Sequence, residues 1–157
     1  MTTLVLIRHA KSDWGDARLD DHDRPLNARG RGDAPTLARR LAATGLRVDA
    51  LLSSTALRAR TTAEYFGVAL GLEPELDARL YGAPASALLD AAVRRHVPAV
   101  AIVAHDPGMT FLASRLSGGG IGQMPTCAVA TFHWEDEDDW DVASAIPPTS
   151  WHFDSPR

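Results

Sequence analysis

The chain has 157 residues, a net charge of −4, and 45% hydrophobic and 23% charged residues, which predicts one globular domain over residues 1–157. The negative charge argues against nucleic-acid binding, which needs an extended basic face. A single cysteine, Cys127, excludes an intramolecular disulfide and a cysteine-based metal site. The N-terminal apolar run stops at Arg8, too short for a membrane span and unlike a signal peptide. We therefore expect a cytoplasmic protein that does not associate with membranes.

The first half of the chain is predicted to alternate buried strands with amphipathic helices. The apolar run Leu4 to Ile7 is typical of a buried parallel strand. A polar loop over 11–27 follows, and loops of this length in compact domains usually carry function or are disordered. The next predicted elements are a helix over 29–44, a strand over 48–52 and a helix over 56–70.

The second half continues the same alternation. Its predicted elements are a helix over 85–95, a strand over 99–104, a helix from Asp106-Pro107 to 116, a strand over 127–134, a turn over 135–139 and a returning strand over 140–146. Residues 147–157 are predicted to be a surface tail. Strands that alternate with helices indicate an α/β sandwich with a mostly parallel central sheet.

Polar residues follow the three clearest strands at the point where each ends. Arg8 and His9 close the first strand, Arg58 lies just beyond the second, and His105 follows the third. Ligands of parallel sheets bind outside the carboxyl ends of the strands. We therefore expect two histidines and two arginines from distant parts of the chain to meet in one crevice.

These residue types suit the transfer of a phosphoryl group. Arginine donates paired hydrogen bonds to phosphate oxygens and keeps its charge, and a neutral histidine can attack phosphorus. Arg58 is predicted in the first turn of a helix, where the macrodipole disfavours a cation unless an anion binds there. For attack His9 must be neutral, and its cationic neighbours favour that form.

Each of these residues also has an ordinary structural interpretation. His9 and His105 could be buried core histidines, and the arginines could be surface charges. Asp106 could cap the helix that follows it or could donate a proton. A metal site built from His9, His105 and Asp106 is an alternative, but the adjacent arginines would repel a cation. No Walker-type loop indicates a nucleoside triphosphate.

Three blocks in the correct order resemble the signature segments of the histidine phosphatase superfamily, whose fold is phosphoglycerate mutase-like. They are Leu4 to Ala10 with the Arg8-His9 pair, residues 53–63 around Arg58, and residues 103–108 with His105. The segment over 11–30, with Arg24-Pro25-Leu26, is similar to the SixA-type phosphohistidine phosphatase branch.

The resemblance implies a three-layer α/β/α sandwich that needs no metal or organic cofactor. It also implies that His9 is the nucleophile, that Arg8 and Arg58 clamp the phosphoryl oxygens, and that His105 stabilises the transition state. Arg24 would be an additional phosphate contact.

The sequence departs from the family pattern in two places. Ala10 replaces the usual glycine. The segment over 76–82 contains Asp77 and Tyr81 but no glutamate that could match the proton donor of mutase-type members. Asp106, directly after the second histidine, is the candidate proton donor in its place.

The leading hypothesis is a phosphatase that hydrolyses phosphohistidine, or a related phosphomonoester or phosphoramidate, through a phosphohistidine on His9. Its partner would be a phosphorylated protein or a small phosphorylated substrate, and the sequence does not indicate an oligomeric state. One alternative is a small-molecule phosphomonoesterase or a phosphoglycerate-type mutase, which would need a covered pocket and an acid. Another is a non-catalytic module that binds a phosphorylated ligand and would not need His9.

Overall fold

Six strands form a single sheet in the computed structural model, which describes residues 1–157. The five helices are α1 (Ala28–Ala43), α2 (Leu57–Leu70), α3 (Ala85–Val93), α4 (Gly108–Leu116) and α5 (Trp140–Ala143). The strands are β1 (Thr2–Arg8), β2 (Ala50–Ser53), β3 (Glu75–Leu76), β4 (Ala99–Ala104), β5 (Val129–Trp134) and β6 (Ser150–Asp154). Single turns of 3-10 helix lie at Asp21–Asp23 and Ala78–Leu80. None of the helices has the length and apolar character needed to cross a membrane.

The strand order is β3-β2-β4-β1-β5-β6. The strands β3, β2, β4 and β1 pair in parallel, whereas β5 pairs antiparallel to β1 and β6 pairs antiparallel to β5. Arg8 pairs with Ala104 and Ser53 pairs with Val103, so β1, β2 and β4 end at one level. The predicted convergence of strand ends at one sheet edge is therefore confirmed.

Both faces of the sheet are covered by helices because the buried strands are apolar on both sides. Leu4 and Leu6 of β1 pack in a cluster with residues of α3, α4 and α5. Val5 and Ile7 pack in a second cluster with residues of α1 and α2. The predicted α/β/α sandwich of the phosphoglycerate mutase-like type is confirmed.

The start of α1 is fixed against the segment that follows β1. Asn27 caps the helix, because its side-chain oxygen accepts a hydrogen bond from the Gly30 amide at 2.9 Å. A Cβ atom on Gly30 would lie 2.2 Å from the Lys11 carbonyl oxygen, so only glycine allows this close approach. The two ends of the long loop after β1 are thereby held against each other.

The structure corrects the predictions for the C-terminal region. The predicted returning strand over 140–146 is wrong: Trp140–Ala143 is a short helix, and Trp140 is buried with its indole N–H donating to the Val97 carbonyl. The segment predicted as a surface tail contains the returning strand, β6, which pairs antiparallel to β5. Because β6 is a largely exposed edge strand, its sequence lacks the apolar run that marks the buried strands.

Candidate active site

A cleft of about 290 Å³ opens at the carboxyl edge of the parallel strands. The structure brings all six predicted site residues into its lining, although they come from four separate parts of the chain. The lining residues are Arg8, His9, Lys11, Ser12, Trp14, Arg24, Arg58, His105, Asp106 and Thr126.

His9 is buried with its Nε2 nitrogen available for reaction. Its Nδ1 donates to the Ala10 carbonyl at 2.7 Å, which fixes the proton on Nδ1 and leaves the lone pair on Nε2. Burial is the largest cause that lowers the pKa of His9 to about 3, and the charges of His105, Arg58 and Arg8 lower it further. The lowered pKa agrees with the expected neutral form of His9, and desolvation contributes more to it than the cationic neighbours.

His105 faces His9 across the cleft, with ring centroids 5.1 Å apart. Its Nε2 shares a hydrogen bond of 2.7 Å with the Ser54 hydroxyl, and its Nδ1 is buried without a partner. Burial, followed by the charge of Arg58, lowers the pKa of His105 to about 4. A proton on Nδ1 would make this ring a neutral hydrogen-bond donor.

Arg8 and Arg58 are both held by their terminal nitrogens. Arg8 Nη1 donates to the Met124 carbonyl at 2.8 Å and lies 3.5 Å from a carboxylate oxygen of Asp106. Arg58 Nη1 donates to the Asp21 carbonyl at 2.6 Å, and Nη2 donates to the Asp21 carboxylate at 2.9 Å. In both side chains Nε is buried without a partner. A buried donor without an acceptor is costly, so these groups favour an anion.

Arg24 lies in the cleft lining but has protein partners at all three nitrogens. Nη1 donates to the Ser12 hydroxyl at 2.8 Å, and Nε and Nη2 lie 3.2 and 3.1 Å from one oxygen of Asp21. The Trp14 ring covers the guanidinium, with its centroid 3.4 Å from Cζ. The contact of Arg24 with phosphate therefore stays a prediction.

Asp106 is bound to the first turn of α4. Its carboxylate accepts hydrogen bonds from the Thr110 amide and hydroxyl at 2.9 Å, and it faces Arg8. These contacts agree with the capping interpretation, and the role of Asp106 as a proton donor stays a prediction. No group of three or more His, Cys, Asp or Glu side chains is arranged to hold a metal, so the alternative site with His9 and His105 does not form.

Two residues beside the cleft were missed by the sequence analysis. Asp21 accepts hydrogen bonds from Arg24, Arg58 and the Tyr81 hydroxyl, although nothing in the sequence distinguishes it from neighbouring aspartates. Thr62 accepts from the Ala10 amide at 3.0 Å and donates to the Arg58 carbonyl at 2.8 Å. A polar residue in the buried stripe of α2 was the available signal for Thr62.

Comparison with known proteins identifies the family of this chain. Residues 4–83 match the model of the histidine phosphatase superfamily (branch 1). An uncharacterized protein of Mycobacterium tuberculosis is 34% identical over 83% of this chain and 90% of its own length.

Two solved structures have the same fold. A protein from Agrobacterium tumefaciens named for the phosphohistidine phosphatase SixA superposes with a TM-score of 0.82 and 26% identity, covering 99% of this chain and 98% of its own. The protein histidine phosphatase SixA complexed with tungstate superposes with a TM-score of 0.75 and 21% identity, covering 98% and 95%. The motif order, the sheet topology and these matches together place the chain in the histidine phosphatase superfamily, in its SixA-type branch, as a phosphatase.

Proposed function

We propose that this phosphatase transfers a phosphoryl group from its substrate to His9 Nε2 and then to water. The observation that carries the proposal is a buried imidazole with a lowered pKa in a cleft with three buried nitrogens that lack partners, Nε of Arg8, Nε of Arg58 and Nδ1 of His105. A nucleophile surrounded by fixed donors is the arrangement that phosphoryl transfer requires.

In the first step the lone pair of His9 Nε2 forms a bond to phosphorus. The bond from phosphorus to the leaving atom breaks, and its electron pair departs with that atom. The imidazole becomes positively charged, and the hydrogen bond from Nδ1 to the Ala10 carbonyl stabilises that charge. Arg8, Arg58 and His105 stabilise the equatorial oxygens of the transition state.

In the second step water attacks the phosphorylated histidine. The N–P bond breaks and its electron pair returns to Nε2, while the water oxygen bonds to phosphorus. Both water protons leave with the product as dihydrogen phosphate, which exchanges a proton with the solvent. This step regenerates neutral His9 without a cofactor, and the predicted independence from metals is part of the proposal.

The protonation states in the cleft favour a substrate with a good leaving group. His9 and His105 have pKa values of about 3 and about 4, so both are neutral near pH 7. Neither histidine is therefore an imidazolium that could protonate an alkoxide, whereas a phosphohistidine protonated at its second nitrogen departs as neutral imidazole.

We therefore propose phosphohistidine, or another phosphoramidate or acyl phosphate, as the substrate class, carried by a protein or a small molecule. The similarity to the SixA-named protein of A. tumefaciens supports this choice. The absence of a glutamate over 76–82 argues against a mutase, which must protonate an alkoxide. A cytoplasmic location remains a prediction.

The test is to trap the intermediate. The protein is mixed with phosphoramidate, quenched rapidly in alkali and mapped by mass spectrometry, with release of inorganic phosphate measured in parallel. We expect a phosphoryl group on residue 9, abolished together with turnover in His9→Ala. The matched control is His152→Ala, which removes an exposed histidine of β6 and should turn over normally.

Three outcomes would contradict the proposal. Phosphate binding without turnover would indicate a binding module, and transfer of the phosphoryl group to a second molecule instead of water would indicate a mutase. Full turnover by His9→Ala would exclude His9 as the nucleophile.

A further inference from the structure

Asp21 lies at the start of the 3-10 turn in the long loop after β1, beside the cleft. We propose that Asp21 is a positioning residue: it holds Arg58, Arg24 and the Tyr81 hydroxyl in the arrangement that binds the phosphoryl group. The inference rests on the proposed function, because it assigns Asp21 a task in that same site.

One residue anchors three side chains from different parts of the chain. The Asp21 carbonyl and Oδ2 accept from the two terminal nitrogens of Arg58 at 2.6 and 2.9 Å. Its Oδ1 accepts from Arg24 Nε at 3.2 Å, and Oδ2 also accepts from the Tyr81 hydroxyl at 2.5 Å. Asp21 thereby connects the long loop, α2 and the segment after Ala78–Leu80.

Tyr81 extends this anchoring to the second histidine. Its ring meets His105 edge to face, with centroids 5.5 Å apart, and meets His22 in the same way at 5.0 Å. Because the hydroxyl is fixed by Asp21, the ring has a defined position against His105. Asp21 therefore influences the positions of the arginines and, through Tyr81, the position of His105.

Arg8 is held by similar contacts that do not involve Asp21, which indicates that such contacts serve to position an arginine for the same ligand. Each guanidinium is held by one main-chain carbonyl and one carboxylate, from Met124 and Asp106 for Arg8 and from Asp21 alone for Arg58. Each leaves a buried Nε without a partner. In Arg58 the contacts at both terminal nitrogens fix the plane of the guanidinium, whereas in Arg8 both contacts are made by Nη1. In each side chain several N–H donors, including that of Nε, remain for substrate oxygens.

The opposite interpretation is that Asp21 competes with substrate for the arginines. Two observations argue against competition. The shortest contact to Arg58 comes from the Asp21 main-chain carbonyl, which a phosphate cannot displace by rotating a side chain. The unpartnered Nε of Arg58 is not among the groups that Asp21 occupies.

The Asp21 carboxylate keeps its charge because of these donors. The hydrogen bond from Tyr81 and the interactions with Arg58 and Arg24 hold the pKa of Asp21 well below its usual range. Replacement by asparagine therefore removes a permanent charge and one acceptor while it preserves the size of the side chain.

The experiment measures binding of inorganic phosphate by calorimetry and kcat/KM with an aryl phosphate. In Asp21→Asn we expect phosphate to bind about ten- to hundredfold more weakly, because the charge-assisted hydrogen bonds that orient Arg58 and Arg24 are lost. The matched control is Asp20→Asn, which removes the same charge from the adjacent exposed residue and should change binding less than about twofold.

A double-mutant cycle separates positioning from general destabilisation. In an Arg58→Ala background, Asp21→Asn should weaken phosphate binding far less than it does in the wild type, because the main side chain that Asp21 positions is already absent. Additive effects would overturn the proposal. Tighter phosphate binding by Asp21→Asn would also overturn it, and would establish Asp21 as a competitor.

Failure of this inference is distinguishable from failure of the proposed function. If Arg58→Ala binds phosphate as the wild type does, the proposed function fails. If Arg58→Ala weakens binding and Asp21→Asn does not, only the role of Asp21 fails. Should Asp21→Asn not fold, Asp21→Glu takes its place, and unchanged phosphate binding by that variant would overturn the inference.

Discussion

The parallel and antiparallel halves of the sheet carry different kinds of cavity. At the carboxyl edge of β1, β2 and β4 lies the polar cleft of about 290 Å³. Beside β5 and β6 lies a groove of about 330 Å³, bordered by α1 and lined in part by Leu37, Leu41 and Val129. The groove is the larger and more apolar of the two, yet the six predicted site residues all line the cleft.

The charged groups explain this difference. In the groove, Arg40 is exposed and pairs with Asp154 at 3.3 Å, and His133 Nδ1 lies 3.0 Å from the Thr3 hydroxyl. In the cleft, Arg58 is buried and retains an N–H without a partner. Buried cationic donors that the protein does not satisfy, and not cavity volume, therefore distinguish the candidate site from the groove.

The largest effect should come from removing a cleft arginine. Arg58→Ala should lower kcat/KM by roughly a thousandfold, because a preorganised donor to the transition state is lost. Arg40→Ala removes a guanidinium beside the groove and should leave kcat/KM within about twofold of wild type. Steady-state kinetics with an aryl phosphate measures both, and equal losses in the two variants would abolish the distinction between the two regions.

The buried histidines should make stability depend on pH. Burial lowers the pKa of His9 to about 3 and that of His105 to about 4, whereas both titrate near 6.5 when the chain is unfolded. The unfolded state therefore binds more protons, and their contribution to stability is lost as pH falls below 6.5. For each of the two histidines, we expect the free energy of unfolding to decrease by about 2 kcal/mol when the pH is lowered from 7 to 5.

Urea unfolding at the two pH values measures this loss. His9→Asn should show about half of the wild-type decrease, since only His105 remains. An identical decrease in the two proteins would mean that His9 is not a buried neutral base.

A smaller effect should follow from disturbing the segment after His9. In Gly30→Ala the new methyl group would displace the Lys11 carbonyl, costing about 1–3 kcal/mol of stability and lowering activity. Gly32→Ala lies in the same helix with no atom within 4 Å of the new Cβ, and should gain about 0.5–1 kcal/mol. Thermal unfolding and kcat/KM compare the pair, and stabilisation by both substitutions would contradict the close packing at Gly30.

The smallest effect should come from the antiparallel edge. Trp151 of β6 is 41% exposed, so Trp151→Ala should cost about 1 kcal/mol of stability through lost apolar burial. Activity should stay within about twofold of wild type, because β6 contributes no residue to the cleft lining. A loss of activity without loss of stability would show that the antiparallel half also serves the reaction.

The sequence predicted β1, β2 and β4 of the parallel half well because these strands are buried, whereas the exposed two-residue strand β3 was not predicted. Residues 4–7 and 99–104 are continuous apolar runs, and the polar residues after them mark the strand ends. The antiparallel edge was predicted poorly, because β6 buries little and shows no comparable run. The turn of helix at Trp140–Ala143 depends on burial of Trp140 in the core, which local patterning does not reveal.

The candidate site was likewise predicted only in part. Arg8, His9, Arg58 and His105 could be placed because each follows a strand end, where topology determines position. Asp21 could not, since its contacts with Arg24, Arg58 and Tyr81 arise from the folded path of a loop.

The hydrogen bond from His9 Nδ1 to the Ala10 carbonyl has a chemical consequence for the proposed covalent intermediate. It restricts modification to the nitrogen remote from the main chain, so the enzyme should carry only the tele isomer, 3-phosphohistidine, and never the pros isomer. Antibodies that discriminate the two isomers would read this regiochemistry directly from the quenched protein.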